Sequence, residues 1–296
     1  MVLSAVMGPT TGEPRRDTTR ARSFDQVVDS YDRARPSYPV EAARWLTGPE
    51  QASVLELGAG TGKLTEQLVA LGHPVTATDP SEPMLRRLTE RVPAARPVLA
   101  AAERIPLASR SADLVVAGTA FHWFDAETVL PEIARVLKPR GVLGLVWNAR
   151  DERVPWVRRL GAIIGESEHE SDPTRAVDDS GLFETVQTST FRFWQQTSRQ
   201  SLRELVLSRS KVAVLSPPER EPVLRKVDEL YDEYGRGHDG MLLPYLTHAY
   251  RAVVLPWAVR EKADSHTASR PSPTKASPAS EGPEDLGTES LLIDFH

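Results

Sequence analysis

The stretch Val54-Leu55-Glu56-Leu57-Gly58-Ala59-Gly60-Thr61-Gly62-Lys63 decides how the rest of the chain is read. A short apolar run ends in glycines at alternate positions, and a helical pattern with Leu64, Leu68 and Leu71 on one face follows. Glycines after a strand let backbone N–H groups approach a ligand, and the helix N-terminus behind them favours an anion. A dinucleotide-binding loop needs Gly-x-Gly-x-x-Gly. Counted from Gly58, its third glycine falls on Lys63, while Gly62 sits one place early. The pattern is Glu-x-Gly-x-Gly-x-Gly, which speaks against NAD or FAD and against an oxidoreductase built on them.

Outward from the loop, strand and helix alternate. Pro74 to Thr78 reads as a second strand closed by Asp79-Pro80. Ser81 is placed as N-cap of a helix with Glu82 and Pro83 in its first turn and Met84, Leu85 and Leu88 behind. Pro97 to Ala101, Asp113 to Gly118 and Val142 to Trp147 read as further strands, with a helix over Glu127–Lys138 joining the last two. Tyr31 and Arg35 fall on a helix ahead of the first strand. Strands alternating with helices of this size mean βαβ units and a parallel sheet covered on both faces. Right-handed crossovers then bring the C-terminal strand ends to one edge.

Beyond Arg150, helical patterns cover 153–165, 200–209 and 218–234, and strand-like runs cover 183–194 and 242–255. The two runs are read as antiparallel additions to the same sheet. The expected fold is therefore α/β: a doubly wound, mostly parallel seven-stranded sheet with helices on both faces and a helical cover, supplied by 195–245, over the pocket.

Composition bounds the function. The chain has 296 residues, 41 acidic and 36 basic side chains, a net charge of -5 and no cysteine. That length suits two domains of roughly 150 residues or one α/β domain of about 250. Without cysteine there is no disulfide framework, zinc finger or thiol nucleophile. The acidic balance and the lack of a basic stripe argue against a nucleic-acid partner. No apolar run is long enough to span a membrane, and the N-terminus lacks the apolar core of a secretory signal. A soluble, cytoplasmic protein is expected, as monomer or homodimer. Residues 1–22, with Arg15, Arg16, Arg20 and Arg22, read as a disordered leader. Residues 261–296, rich in Ser and Pro, read as a disordered tail ending in Leu291–Phe295, either a docking motif or an unanchored end. A domain over 23–260 lies between them.

Six stretches in order resemble the class I S-adenosylmethionine-dependent methyltransferases, within them the bacterial small-molecule group that includes trans-aconitate-type methyltransferases. They are the glycine loop, Ala77–Pro80, Ala102–Pro106, Ile133–Gly141, Phe121–Phe124 and Tyr31–Pro39. The resemblance extends over about 24–255. It implies S-adenosylmethionine as cofactor. Gly58, Ala59 and Gly60 would lie against its methionine part, Glu56 beside the ammonium, and Asp79 with Pro80 at the ribose. Asp79 stands 21 residues beyond Gly58, and as an acid before Pro80 it also reads as a helix cap. Met84 would cover the adenine or belong to the core. The Ala102 and Glu103 backbone would meet the ring, because Ala100 and Ala101 stand where the family commonly has a glycine and an acid. Tyr31 and Arg35 would face the methionine carboxylate or the acceptor.

Methyl transfer from a sulfonium needs mainly proximity and orientation. A base is required only when the nucleophile carries a proton. His122, after the fourth strand, is the candidate catalytic residue, as base, as donor to a carboxylate, or as pocket wall. Trp123 and Asn148 are candidate acceptor contacts, with Phe124 as lining and Arg150 and Trp156 behind them. No His-Glu-x-x-His or other metal pattern is present. The expected reaction is O-methylation of a small acceptor, a carboxylate or a hydroxyl. The alternatives are C- or N-methylation and a non-catalytic protein that only binds the cofactor.

Overall fold

A computed structural model describes residue 32 and residues 35–164, 172–235 and 240–259. Helix α1 (Val40–Thr47) leads into β1 (Val54–Leu57), α2 (Lys63–Ala70), β2 (Val75–Asp79), α3 (Glu82–Arg91) and β3 (Arg96–Leu99). Then come β4 (Ala112–Gly118), α4 (Ala126–Val136), β5 (Leu137–Arg150), α5 (Pro155–Ile164) and α6 (Thr174–Asp179). The chain continues through β6 (Gln187–Thr197), α7 (Arg199–Leu207), α8 (Ser210–Ala213), α9 (Pro217–Tyr234) and β7 (Met241–Val253).

The seven strands form one sheet in the order β3-β2-β1-β4-β5-β7-β6. The first five run parallel, and β7 is antiparallel to both β5 and β6. All four residues of β1 are buried, as a central parallel strand covered on both faces must be. Alternate residues serve opposite layers. Leu55, Leu57 and Leu145 pack with α4 on one face, while Val54, Val116 and Val146 pack with α1, α2 and α3 on the other. A third apolar cluster joins α5, α7 and α9 to Met241, Leu243 and Tyr245 of β7, giving the helical cover. No described helix is long and apolar enough to cross a membrane.

β1 pairs β2 on one side and β4 on the other, Val54 standing opposite both Val75 and Leu114. The chain therefore winds away from β1 in two directions. The crevice beyond the strand ends at this reversal is where open α/β sheets take ligands.

Several boundaries differ from the sequence reading. The helix expected over Glu127–Lys138 ends at Val136, because Leu137 already pairs with Ala112 as strand. The chain then bulges through Lys138–Gly141, with Arg140 at φ +65°, before Val142 pairs with Leu114. β5 accordingly runs from Leu137 to Arg150 rather than Val142 to Trp147. Asp32 is helical but Arg35 lies in a bend, and a separate helix starts at Val40, after Pro36 and Pro39. Ser81 occupies the N-cap of α3 but makes no side-chain cap. Asp79 instead accepts the Ser81 N–H at 2.8 Å. Tyr31, the Arg-rich leader and the tail lie outside the described residues.

Leu145, 1% exposed on β5, fills the core beneath α4. Leu145→Ala is expected to cost about 2–5 kcal/mol in urea unfolding. A loss below about 1 kcal/mol would contradict the packing described for that layer.

Candidate functional site

A cavity of about 330 Å³ opens at the sheet reversal, within the roughly 300–1,000 Å³ of small-molecule pockets. Its floor is the glycine loop between β1 and α2. Gly58 adopts φ +64°, and a Cβ there would stand 2.7 Å from the Ala120 Cβ and 3.3 Å from Phe124 Cζ. Only a residue without a side chain lets this loop lie against the segment after β4. Gly60, at φ +54°, faces open space, so main chain alone forms that part of the wall.

Two carboxylates stand at the strand ends. Glu56 on β1 is 1% exposed and accepts a 2.6 Å hydrogen bond from the Thr65 hydroxyl of α2. Burial pushes its carboxyl up to about 8; the Thr65 bond opposes this and the nearby Asp79 charge adds to it. Asp79 ends β2 and accepts the Gly60 N–H at 2.9 Å and the Ser81 N–H at 2.8 Å. Burial raises its pKa as well, against the pull of those two bonds. Each Asp79 oxygen keeps a further lone pair. It therefore shapes the turn into α3 and still has acceptor capacity toward the cavity, so the capping and ligand readings are compatible.

The opposite wall is built from Arg35, Pro36 and Tyr38, from Thr119 after β4, and from Asn148 on β5. The Tyr38 hydroxyl and the Thr119 Oγ1 are 2.9 Å apart. Thr119 adopts φ +51°, a strained conformation for a β-branched residue, costing about 1–3 kcal/mol. Its N–H donates to Val146 O at 2.7 Å, tying β4's exit to β5. Asn148 donates to Ser37 O at 3.0 Å and accepts from the Thr247 hydroxyl at 2.6 Å, so its amide braces this wall. Arg209, after α7, and Tyr245, on β7, also line the cavity.

Of the residues expected at a site, Arg35, Glu56, Gly58, Ala59, Gly60, Asp79, Pro80, Met84, Trp123 and Asn148 line this one cavity. Ala102, Glu103 and His122 do not. Ala102 is buried in the core, and Glu103 accepts the Asp125 N–H at 3.3 Å. His122 is exposed beside Trp123, ring centroids 4.8 Å apart, and its Nδ1 meets the Trp147 indole N–H at 3.4 Å. Partial burial, then the Arg35 charge, lowers its pKa, which favours the neutral ring. Trp156 stacks on Tyr234 away from the cavity, and Arg150 is buried in β5. Thr61 and Lys63, immediately after the recognised glycines, also line the wall. Arg209 and Tyr245 carried no local signal, since only the tertiary fold brings them here. Among the described residues, no cluster of three His, Asp or Glu side chains forms a metal site.

Residues 55–145 match the family described as Methyltransferase domain. The chain is similar to an uncharacterized methyltransferase of Mycobacterium tuberculosis, 43% identical over 244 residues, covering 81% of this chain and 98% of that protein. It is 30% identical over 165 residues to a malonyl-[acyl-carrier protein] O-methyltransferase of Salmonella typhimurium, covering 54% and 65% of the two chains. Its fold is similar to a solved structure described as an antibiotic-pathway methyltransferase of Anabaena variabilis. There the TM-score is 0.53 and the identity 20%, with 71% and 95% of the two chains covered.

A carboxyl that titrates near 8 when folded and near its ordinary 4.5 when unfolded holds its proton more tightly in the native state. Native stability therefore falls as pH rises from about 4.5 to about 8, by a total on the order of several kcal/mol. Glu56→Gln is expected to flatten that decline in urea unfolding followed across this range. An unchanged slope would contradict the burial described for Glu56.

Proposed function

The chain belongs to the class I S-adenosylmethionine-dependent methyltransferases, and from that premise we propose that it methylates an oxygen of a small organic acceptor, a carboxylate ahead of a hydroxyl. When bound, S-adenosylmethionine supplies a methyl group on a sulfonium, already activated for transfer to a nucleophile. The residues present suit it. Glu56 offers a buried carboxylate to an ammonium, and Gly58, Ala59 and Gly60 offer bare main chain. Asp79 offers lone pairs to hydroxyls, and Pro80 and Met84 offer an apolar side to a flat ring.

The observation that carries the acceptor assignment is the pair of guanidinium side chains, Arg35 and Arg209, lining one cavity. The methionine part of the cofactor brings one carboxylate, which Arg35 suits. A second arginine in the lining fits a second anion, and guanidinium is the side chain best matched to a carboxylate. An ionised carboxylate needs no base, in keeping with the absence of histidine from the described lining. His122 then supports Trp123 and the wall rather than moving a proton. The Salmonella relative, an O-methyltransferase by name, supports oxygen as the acceptor atom.

Two variants test the reading. Asp79→Ala is expected to weaken S-adenosylhomocysteine binding roughly 10–100-fold, measured by equilibrium dialysis. Arg209→Gln is expected to raise KM for a carboxylate acceptor by about the same factor while cofactor affinity holds. Acceptors come from a screen of carboxylic acids, phenols, alcohols and amines for release of S-adenosylhomocysteine. Turnover confined to amines or carbon acids would contradict the oxygen assignment. Binding without turnover across the screen would favour the non-catalytic reading.

A further inference from the structure

Asp32 precedes the cavity wall in sequence and is 3% exposed. Its carboxylate accepts from the Thr61 hydroxyl, from Arg91 Nη2, and from Arg91 Nη1 at 3.0 Å, with Lys63 Nζ at 3.7 Å. Arg91 Nη1 also lies 3.3 Å from the Thr61 carbonyl oxygen. Three pieces of the cavity meet here. Thr61 and Lys63 belong to the glycine loop, Arg91 is the last residue of α3 (the helix that carries Met84), and Asp32 stands three residues before Arg35. Lys63, the residue that breaks the dinucleotide spacing, has its partner in this junction.

A buried carboxylate is tolerated only when paired, and deleting one partner strands the others. Burial alone would push the Asp32 carboxyl up, but the Arg91 and Thr61 hydrogen bonds and the Lys63 charge outweigh it and hold the pKa below its ordinary value. The Arg35–Tyr38 wall is also tied to its surroundings by the Tyr38–Thr119 hydroxyl contact after β4 and by Gln67 Nε2 of α2, which donates to Ser37 Oγ at 3.4 Å. To these the Asp32 ion pair adds a buried, charged link between the segment leading into that wall and the glycine loop.

We propose that Asp32 is a positioning residue for the cofactor: through Arg91, Thr61 and Lys63 it holds the Arg35–Tyr38 wall and the glycine loop in the spacing that binding requires. This rests on the assignment of the cavity as the cofactor site. An ion-pair junction of this kind couples remote residues to affinity without touching the ligand.

The test is calorimetric titration of S-adenosylhomocysteine into the full chain and its variants, with thermal unfolding of each unliganded variant recorded alongside. Asp32→Asn is expected to weaken binding about tenfold in protein that remains folded. Arg91→Gln, at a side chain only 20% exposed, should do the same. The double variant should be no weaker than the worse single one, since both break one junction. Asp32→Glu should restore part of the loss, which a purely structural staple would not require. Should Asp32→Asn fail to fold, Arg91→Gln carries the comparison. Affinity within about twofold of wild type in either folded variant, with Asp79→Ala still defective, would overturn the role of Asp32 alone. Normal affinity in Asp79→Ala as well would overturn the cavity assignment and this proposal with it.

Discussion

Residue 58 has no room for a side chain, because the loop leaving β1 lies against the segment leaving β4, with Ala120 2.7 Å from where a Cβ would be. That contact follows from β1 pairing with β2 on one side and β4 on the other. Once the two exits are pressed together at the reversal, the crevice between them has a fixed floor. The carboxylates of Glu56 and Asp79 then stand at neighbouring strand ends, and the N-terminal segment has a surface to close against. Every other feature of the site presupposes this approach.

The site concentrates groups that a fold selected for stability alone would avoid. Glu56 is buried with a single hydroxyl donor and holds its proton up to about pH 8. Thr119 sits in a left-handed conformation that β-branched residues disfavour. Asp32 is buried among three polar partners. Each is a local cost offset by the surrounding apolar layers, and each lies in or beside the same cavity. Strain and perturbed carboxyls gathered at one place support the reading of this cavity as a binding site. A cationic ligand beside Glu56 would favour its ionised form, so that binding and proton release are linked at neutral pH.

The fold was largely legible because its signals are local. β1, β2 and β4 are short apolar runs closed by glycine or aspartate, and alternation with helices implied the parallel sheet. The antiparallel pair β6 and β7 followed from two long strand-like runs late in the chain. Boundaries failed where two elements abut: α4 hands over to β5 at Leu137 without a turn residue between them, so periodicity alone could not divide them. The cavity lining was legible at Gly58 and Gly60, where backbone geometry dictates residue type, and at Asp79, which closes β2. It was not legible at Arg209 and Tyr245, contributed by the helical cover and by β7. Nor was it legible at Asp32, whose partners lie 29 and 59 residues away and mark no local pattern. The same limit explains His122, which follows β4 as expected but turns its ring toward Trp147 and does not line the cavity.

The central claim is that the crevice at the sheet reversal is built for S-adenosylmethionine and not for a dinucleotide. The most direct measurement is the crystal structure of the full chain grown with S-adenosylhomocysteine and, in parallel, with NAD. The account predicts density for S-adenosylhomocysteine between the glycine loop, Glu56, Asp79 and Arg35, and none for NAD. S-adenosylhomocysteine bound elsewhere on the chain, or NAD in that crevice, would contradict it.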